Sequence, residues 1–240
     1  SGRSEQLKTF SNLEPRLALS YELSPEVSFK ASYTKLTQYL HLLSNTSSPT
    51  PLDVWTPSGP YVKPQRSDQF AAGIFTYFLD GDYSLEVESY YKKVANRIDY
   101  IDGANLVAND AIEQVILNGQ ARAYGLEVLF RKNTGRFKGW LSYTLSRTEQ
   151  KVEGRTAIET GINNGDWYKT GFDKLHNLAV VANYKWTEKW RFSANLIFQT
   201  GQPVTFPDGQ YEYEGITVPN FSARNENNLP SYHRIDVSAT

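Results

Sequence analysis

The chain has 240 residues, 25 basic and 26 acidic side chains, a formal net charge of −1 and 40% hydrophobic residues. That balance excludes the basic excess of a nucleic-acid binder, and the absence of cysteine excludes a disulfide framework, a thiol nucleophile and a thiolate metal site. Methionine is also absent, so the chain is expected to be a processed product or a piece of a longer one.

Residues 13–23 put Leu17, Leu19, Tyr21 and Leu23 on one face and Arg16, Ala18, Ser20 and Glu22 on the other, the period-two signature of a strand. After the turn Ser24-Pro25-Glu26, Val27, Phe29, Ala31 and Tyr33 alternate with Ser28, Lys30, Ser32 and Thr34. A long polar connection, 41–66, holds five of the eleven prolines and breaks the periodicity. Strands are next expected over 68–79 and 83–101, joined by Asp80-Gly81-Asp82, a strong hairpin signal. The first of these is apolar on both sides, so its faces cannot be assigned. The second sets Tyr83, Leu85, Val87 and Tyr91 against Ser84, Glu86, Glu88 and Lys92.

A loop around 102–118 leads to 120–131, where Tyr124, Leu126, Val128 and Phe130 oppose Ala123, Gly125, Glu127 and Arg131. The turn Asn133-Thr134-Gly135 precedes 136–149, and a loop at 150–173 precedes a hairpin over 174–201. One face of that hairpin carries Leu178, Val180, Ala182, Tyr184 and Trp186, then Trp190, Phe192, Ala194, Leu196 and Phe198. The other is mostly polar, and the turn Thr187-Glu188-Lys189 lies between the tryptophans. A loop at 201–230 precedes a last strand with Ile235, Val237 and Ala239 opposite Arg234, Asp236 and Ser238.

These are about nine strands with alternately short and long connections. Short turns on one side and long loops on the other are the pattern of an all-β, antiparallel up-and-down transmembrane β-barrel. No run of about 18 apolar residues offers a spanning helix, and a barrel leaves no such hydropathy peak. A soluble β-sandwich module binding glycans would also alternate, because one sheet face packs on a core.

Several strings match a family. YLHLLSN (39–45), VKPQRSDQF (62–70), NRIDYIDGANL (96–106), RAYGLEVLFRKNTGRFKGWLSYTLSRTE (122–149), INNGDWY (162–168), TGQPVTF (200–206) and LPSYHRIDVSAT (229–240) resemble TonB-dependent outer-membrane receptors. They look most like the branch with an N-terminal carboxypeptidase-regulatory-like domain. The resemblance implies a barrel of the 22-stranded, plugged class in the outer membrane of a Gram-negative bacterium. Its members import scarce, bulky nutrients, often iron–siderophore complexes, with energy passed through TonB. It places residues 1–240 as part of one barrel domain from the C-terminal half, without plug domain, TonB-contacting segment or closing strands. The implied partners are the TonB complex, the plug, outer-membrane lipid and an unidentified nutrient. A passive porin or an adhesive barrel is the alternative without energy coupling.

No catalytic, cofactor or metal site is expected. His41, His176 and His233 lack ligand spacing, and His176, at a strand start, reads as a hydrogen-bonded girdle residue. Carboxylate pairs such as Asp80/Asp82 and Asp99/Asp102 fall at turns and strand ends, where Asp is favoured for local hydrogen bonding. The ligand candidates lie in the long loops: Trp55, Tyr61 and Arg66 in one, and Asn163, Asn164, Trp167 and Tyr168 in another. Aromatics beside amides and arginine suit a polar or ring-bearing ligand, a siderophore or a sugar, while the bland reading is loop-on-loop packing. On the polar face, Lys30, Glu86, Glu88, Glu127 and Arg131 are plug-facing candidates, or a solvated lumen wall with charge pairs between strands.

Overall fold

The computed structural model describes residues 8–43, 54–101, 104, 114–156 and 158–240. In chain order the strands are β1 (Arg16–Ser24), β2 (Val27–Gln38), β3 (Leu40–Leu43), β4 (Val54–Pro57), β5 (Gln65–Phe78), β6 (Tyr83–Tyr100), β7 (Ile116–Lys132) and β8 (Phe137–Lys151), followed by β9 (Trp167–Lys169), β10 (His176–Lys185), β11 (Arg191–Gln199), β12 (Pro203–Val204), β13 (Pro207–Tyr213), β14 (Ile216–Phe221), β15 (Asn227–Asn228) and β16 (Tyr232–Ala239). Nine of them form one antiparallel meander in the order β1-β2-β5-β6-β7-β8-β10-β11-β16, with β9 added beside β8. Strand follows strand without a crossover, as an up-and-down wall requires.

The turn after β5 runs through the left-handed region. Between β5 and β6, Leu79, Asp80 and Gly81 are all left-handed, with φ of 53°, 54° and 83°. The Asp82 N–H closes this turn onto the Leu79 carbonyl at 3.0 Å. Glycine at the third of these positions carries no Cβ penalty.

Register settles the faces that alternation leaves open in 68–79. Phe29 pairs with Ile74 and Tyr33 with Phe70, so Phe70, Ala72, Ile74 and Thr76 join the apolar face and Gln69, Ala71, Gly73 and Phe75 the polar one. Across the sheet one apolar row reads Tyr21, Phe29, Ile74, Val87, Val128 and Tyr143. It continues through Leu178, Phe198 and His233.

Aromatics bound this band at both ends. Toward the long loops run Tyr33, Phe70, Tyr91 and Tyr124, and beyond them, on the same face, Lys35, Asp68, Lys93, Arg122 and Glu149. Toward the short turns Phe78, Tyr83 and Phe130 stack, with centroids 5.3 and 5.7 Å apart. Trp190 stacks on Phe192 at the next turn. Tyr83 and Tyr91 lie eight residues apart on β6, about 26 Å along a strand rising ~3.3 Å per residue. At the 35–45° tilt of barrel strands this spans roughly 20 Å of membrane depth, most of a ~25 Å lipid-facing band.

A wall one sheet thick has no interior, so the buried apolar residues lie elsewhere. Val62, Ile98 and Ile116 form one buried cluster, and Leu117, Val152, Ile162 and Tyr168 another, both at the long-loop end.

A bulge in β6 makes that end possible. Register slips between Ala95 and Arg97, and Asn96 is left-handed with φ 58°. Ala95 pairs with Gln120 on the apolar face, whereas Arg97 and Asp99 pair with Gly119 and Leu117 on the polar face. One extra residue thus turns Asp99 inward.

Three expectations need correction. The 41–66 connection is not free of strand, since β3 and β4 pair there and β5 begins at Gln65, so Arg66 lies on a strand. The loop at 150–173 contains β9, and the loop at 201–230 contains the β12–β15 and β13–β14 pairs. These ladders are too short for alternation to stand out from polar loop sequence. Most of the 102–118 loop, with Asp102, lies outside the described residues.

Candidate functional site

At the long-loop end, two connections and strand β8 converge on the carboxylate of Asp99, near the end of β6. Tyr168 donates its hydroxyl to Asp99 Oδ2 at 2.6 Å, and Gln150 donates Nε2 to the same oxygen at 2.6 Å. Arg224 donates Nη1 to Asp99 Oδ1 at 2.9 Å and to the Tyr100 carbonyl at 3.0 Å. The Tyr100 N–H also donates to Asp99 Oδ1, at 2.8 Å. Asp99, Gln150 and Tyr168 are buried. Burial first, and the Asp99 carboxylate second, push the Tyr168 phenol far above the usual phenol range, so it stays a donor at every physiological pH.

The segment INNG supplies the second tie. Asn163 and Asn164 are left-handed, with φ of 49° and 57°, between the left-handed Gly161 and Gly165. This tight turn aims the Asn163 amide at the backbone of Arg224. Asn163 Nδ2 donates to the Arg224 carbonyl at 3.0 Å, and the Arg224 N–H donates to Asn163 Oδ1 at 2.8 Å. Asn225 Nδ2 adds a bond to the Lys169 carbonyl at 2.8 Å. The β11–β16 connection is thereby fixed to the β8–β10 connection.

The first loop is held separately. His41 is 1% exposed. Gln65 Nε2 donates to His41 Nδ1 at 3.1 Å, which places the ring proton on Nε2, 2.9 Å from Ser58 Oγ. Desolvation, and then the nearby Arg97 charge, hold this imidazole below its ordinary pKa.

The predicted ligand residues therefore divide. Trp55 and Tyr61 stand open, at 59% and 72% exposure, whereas Trp167, at 37%, pairs with Lys151 on the lipid-facing side. The Trp167 ring carries the Arg122 guanidinium 4.1 Å from its centroid. Arg66 is exposed at the start of β5, opposite Thr37 and Ala95. Tyr168 and Asn163 hold the loops together, and Asn164 belongs to the turn. Sequence reasoning missed Asp99 as a hub, together with Gln150 and Arg224. The one local signal is Arg97-Ile98-Asp99, where a charge would face outward if the strand ran without a bulge.

The wall below is polar. Glu86 and Arg131 pair across strands at 2.7 Å. Lys30 Nζ lies 4.3 Å over the Phe75 ring. Glu88 sits directly opposite Glu127, and neither has an ion pair among the described residues. Gly125 lies opposite Tyr90, whose ring would meet a Cβ there at 3.0 Å, so the missing side chain is what lets the ring lie down on the wall. His176 opens β10 and bonds Tyr143 Oη through Nδ1 at 2.8 Å, as expected of a girdle histidine. No cluster of metal-ligating side chains occurs among the described residues.

The family model described as TonB dependent receptor-like, beta-barrel matches residues 1–240. No curated protein sequence matches the chain. Among solved structures it is similar to the ferripyoverdine receptor of the outer membrane of Pseudomonas aeruginosa bound to ferripyoverdine, with TM-score 0.59 and 14% identity over 94% of this chain and 26% of that one. The ferric-catecholate import receptor Fiu from E. coli K12 gives TM-score 0.57 and 15% identity over 92% of this chain and 27% of that one. The FrpB iron transporter from Neisseria meningitidis gives TM-score 0.57 and 11% identity over 95% of this chain and 32% of that one. The chain thus spans about a quarter to a third of the length of these structures.

Proposed function

Because the chain belongs to the TonB-dependent receptor family, we propose that it forms barrel wall and outer loops of a receptor importing a scarce, bulky nutrient with energy transmitted by TonB. The family's barrels sit in the outer membrane of Gram-negative bacteria, and its members are not enzymes. The substrate class proposed is an iron–siderophore complex, in keeping with what the similar structures are named for binding or importing.

The observation that carries this reading is the division of the loop layer. A buried network at Asp99 fixes the loops, and Trp55 and Tyr61 are left exposed, while Trp167 lies under Arg122 on the lipid-facing side of the wall, opposite Lys151. A preorganised loop layer with exposed rings limits the ordering cost of capturing a ring-bearing ligand. Within the wall, the plug domain of the parent protein docks against Lys30, Glu88 and Glu127, while Glu86 and Arg131 neutralise each other. The parent also carries the closing strands and the N-terminal carboxypeptidase-regulatory-like domain.

The test uses the full-length receptor. Trp55→Ala and Tyr61→Ala together are expected to weaken ferric-siderophore binding by roughly 1–3 kcal/mol with normal heat-modifiable migration, and Trp167→Ala, on the lipid-facing side, to leave it unchanged. Uptake of the labelled complex is expected to vanish when tonB is deleted. Unchanged affinity in a correctly assembled double variant would remove the binding role from Trp55 and Tyr61, and TonB-independent uptake would favour a passive pore.

A further inference from the structure

The hairpin β13–β14 is a two-stranded sheet of its own, apart from the wall. All of its strand residues are exposed except Val218, which is half-buried. Register sets Tyr211 opposite Val218 and Tyr213 opposite Ile216 on one face, and Gln210 opposite Pro219 and Glu212 opposite Thr217 on the other. The first face is apolar, yet Tyr211, Tyr213 and Ile216 are 55%, 64% and 67% exposed, so no described residue covers it. The base is held in place. Asn220 Nδ2 donates to Asp208 Oδ1 at 2.8 Å, and the Ser222 N–H to the Phe206 carbonyl at 2.9 Å.

The two edges of the hairpin differ. Glu214 and Gly215, with φ of 49° and 78°, make a two-residue turn, so the flanking pair Tyr213–Ile216 exchanges hydrogen bonds. Alternation then makes Glu212–Thr217 and Gln210–Pro219 the pairs whose backbone groups point out of the hairpin. On the β14 edge Thr217 offers an outward N–H and Pro219 has none, which closes that edge to a further strand. The β13 edge offers the N–H and C=O of both Gln210 and Glu212, and no other described strand takes them. Charge selects the occupant. Asp208, Glu212 and Glu214 are the charged residues of 201–223, a stretch without lysine or arginine, and all three are exposed. An open edge takes an added strand through main-chain bonds, and alternate side chains set its specificity. A strand laid on β13 places one set of side chains beside Tyr211 and Tyr213 and the other beside Glu212.

We propose that the β13 edge docks an extended polypeptide segment of an extracellular partner, in which apolar residues alternate with lysine or arginine. The segment adds as a third strand, its apolar side chains on the Tyr211–Tyr213 face and its basic ones beside Glu212. The hairpin lies on the long-loop side, which faces the cell exterior in such barrels.

The experiment is biolayer interferometry of the full-length receptor in detergent, with a decapeptide of alternating lysine and valine as probe. One comparison peptide carries glutamate in place of lysine, and another keeps the side chains on N-methylated backbone amides. The expected result is binding of the Lys–Val peptide with both comparison peptides at least tenfold weaker. Gln210→Pro, which removes an outward N–H and leaves the hairpin's own bonds in place, is expected to weaken binding about tenfold, and Glu212→Lys to weaken it similarly. Thr217→Pro, on the β14 edge, is expected to change nothing. Heat-modifiable migration monitors assembly, and Glu212→Lys touches no backbone bond, so the test stands even if Gln210→Pro distorts the hairpin. Absence of Lys–Val binding, equal binding of the N-methylated peptide, or an unchanged Glu212→Lys would each overturn the proposal.

Discussion

Replacing Asp99 by Asn keeps the shape of the hub and removes its charge. Asp99 accepts bonds from the Tyr168 hydroxyl, the Gln150 amide and the Arg224 guanidinium at 2.6, 2.6 and 2.9 Å. In the variant the Arg224 guanidinium, whose side chain is 13% exposed, loses the Asp99 carboxylate. Breaking a buried ion pair from one side costs about 3–5 kcal/mol, because the remaining charge stays desolvated. At the lower end, ~3 kcal/mol is about a hundredfold in the open population of the loop layer, at 1.36 kcal/mol per decade. Hydrogen–deuterium exchange on the full-length receptor reads this directly. Amides of 162–170 and 222–226 are expected to lose about two decades of protection, while those of β10 and β11, held by sheet bonds far from the hub, keep theirs. Unchanged exchange in 222–226 would refute the hub. Loss of protection throughout the sheet would show that Asp99 supports the barrel and not the loops.

Tyr168→Phe removes only the hydroxyl and is expected to cost about 1–3 kcal/mol in the same exchange window, as for a buried partner left unsatisfied. Leu196→Arg and Val180→Arg, paired on the apolar face, are each expected to cost on the order of 2–4 kcal/mol in barrel assembly, read by heat-modifiable migration, with Asn195→Arg on the polar face nearly neutral. Equal effects at Leu196 and Asn195 would overturn the facing. For His41, whose folded pKa is lowered, the unfolded loop binds the proton more readily. The attachment of the first loop is therefore at full strength above the unfolded pKa of about 6.5 and weakens as pH falls through and below it. Protection factors at 54–62, which divide out the intrinsic pH dependence of amide exchange, are expected to fall between pH 7.5 and 5.5 in the wild type, and His41→Gln is expected to remove that difference.

The wall was legible because each strand repeats its alternation over many residues and each short turn carries turn chemistry. Leu178 to Tyr184 and Phe192 to Phe198 define their faces several times over. Residues 68–79 were not legible in this way. With Phe75 and Tyr77 on the polar side, only pairing to β2 and β6 reveals which face is which. The loop layer was hidden for a different reason. Arg224 reaches Asp99 across 125 positions, and nothing local in Ser-Ala-Arg-Asn announces it. Tyr168 read as a ligand candidate because a buried tyrosine and a presented one look alike until a partner is placed beside the hydroxyl.

The slipped register at Asn96 separates two selection pressures on one strand. Below it, β6 is read in one phase, and any change there is judged by lipid on one side and by the lumen on the other. Above it the phase is reversed, and the same backbone answers only to the loops it carries. A lineage can therefore trade the residues around Asp99 for a new ligand without disturbing the membrane-facing alternation beneath. Were Asn96 instead paired with Gly119 in regular register, the upper strand would run in step with the lower and Asp99 would turn toward the bilayer edge, whereas deleting Asn96 leaves Arg97 opposite Gly119 and Asp99 inward. The bulge is a joint between a half of the strand that meets lipid and lumen and a half that carries loops.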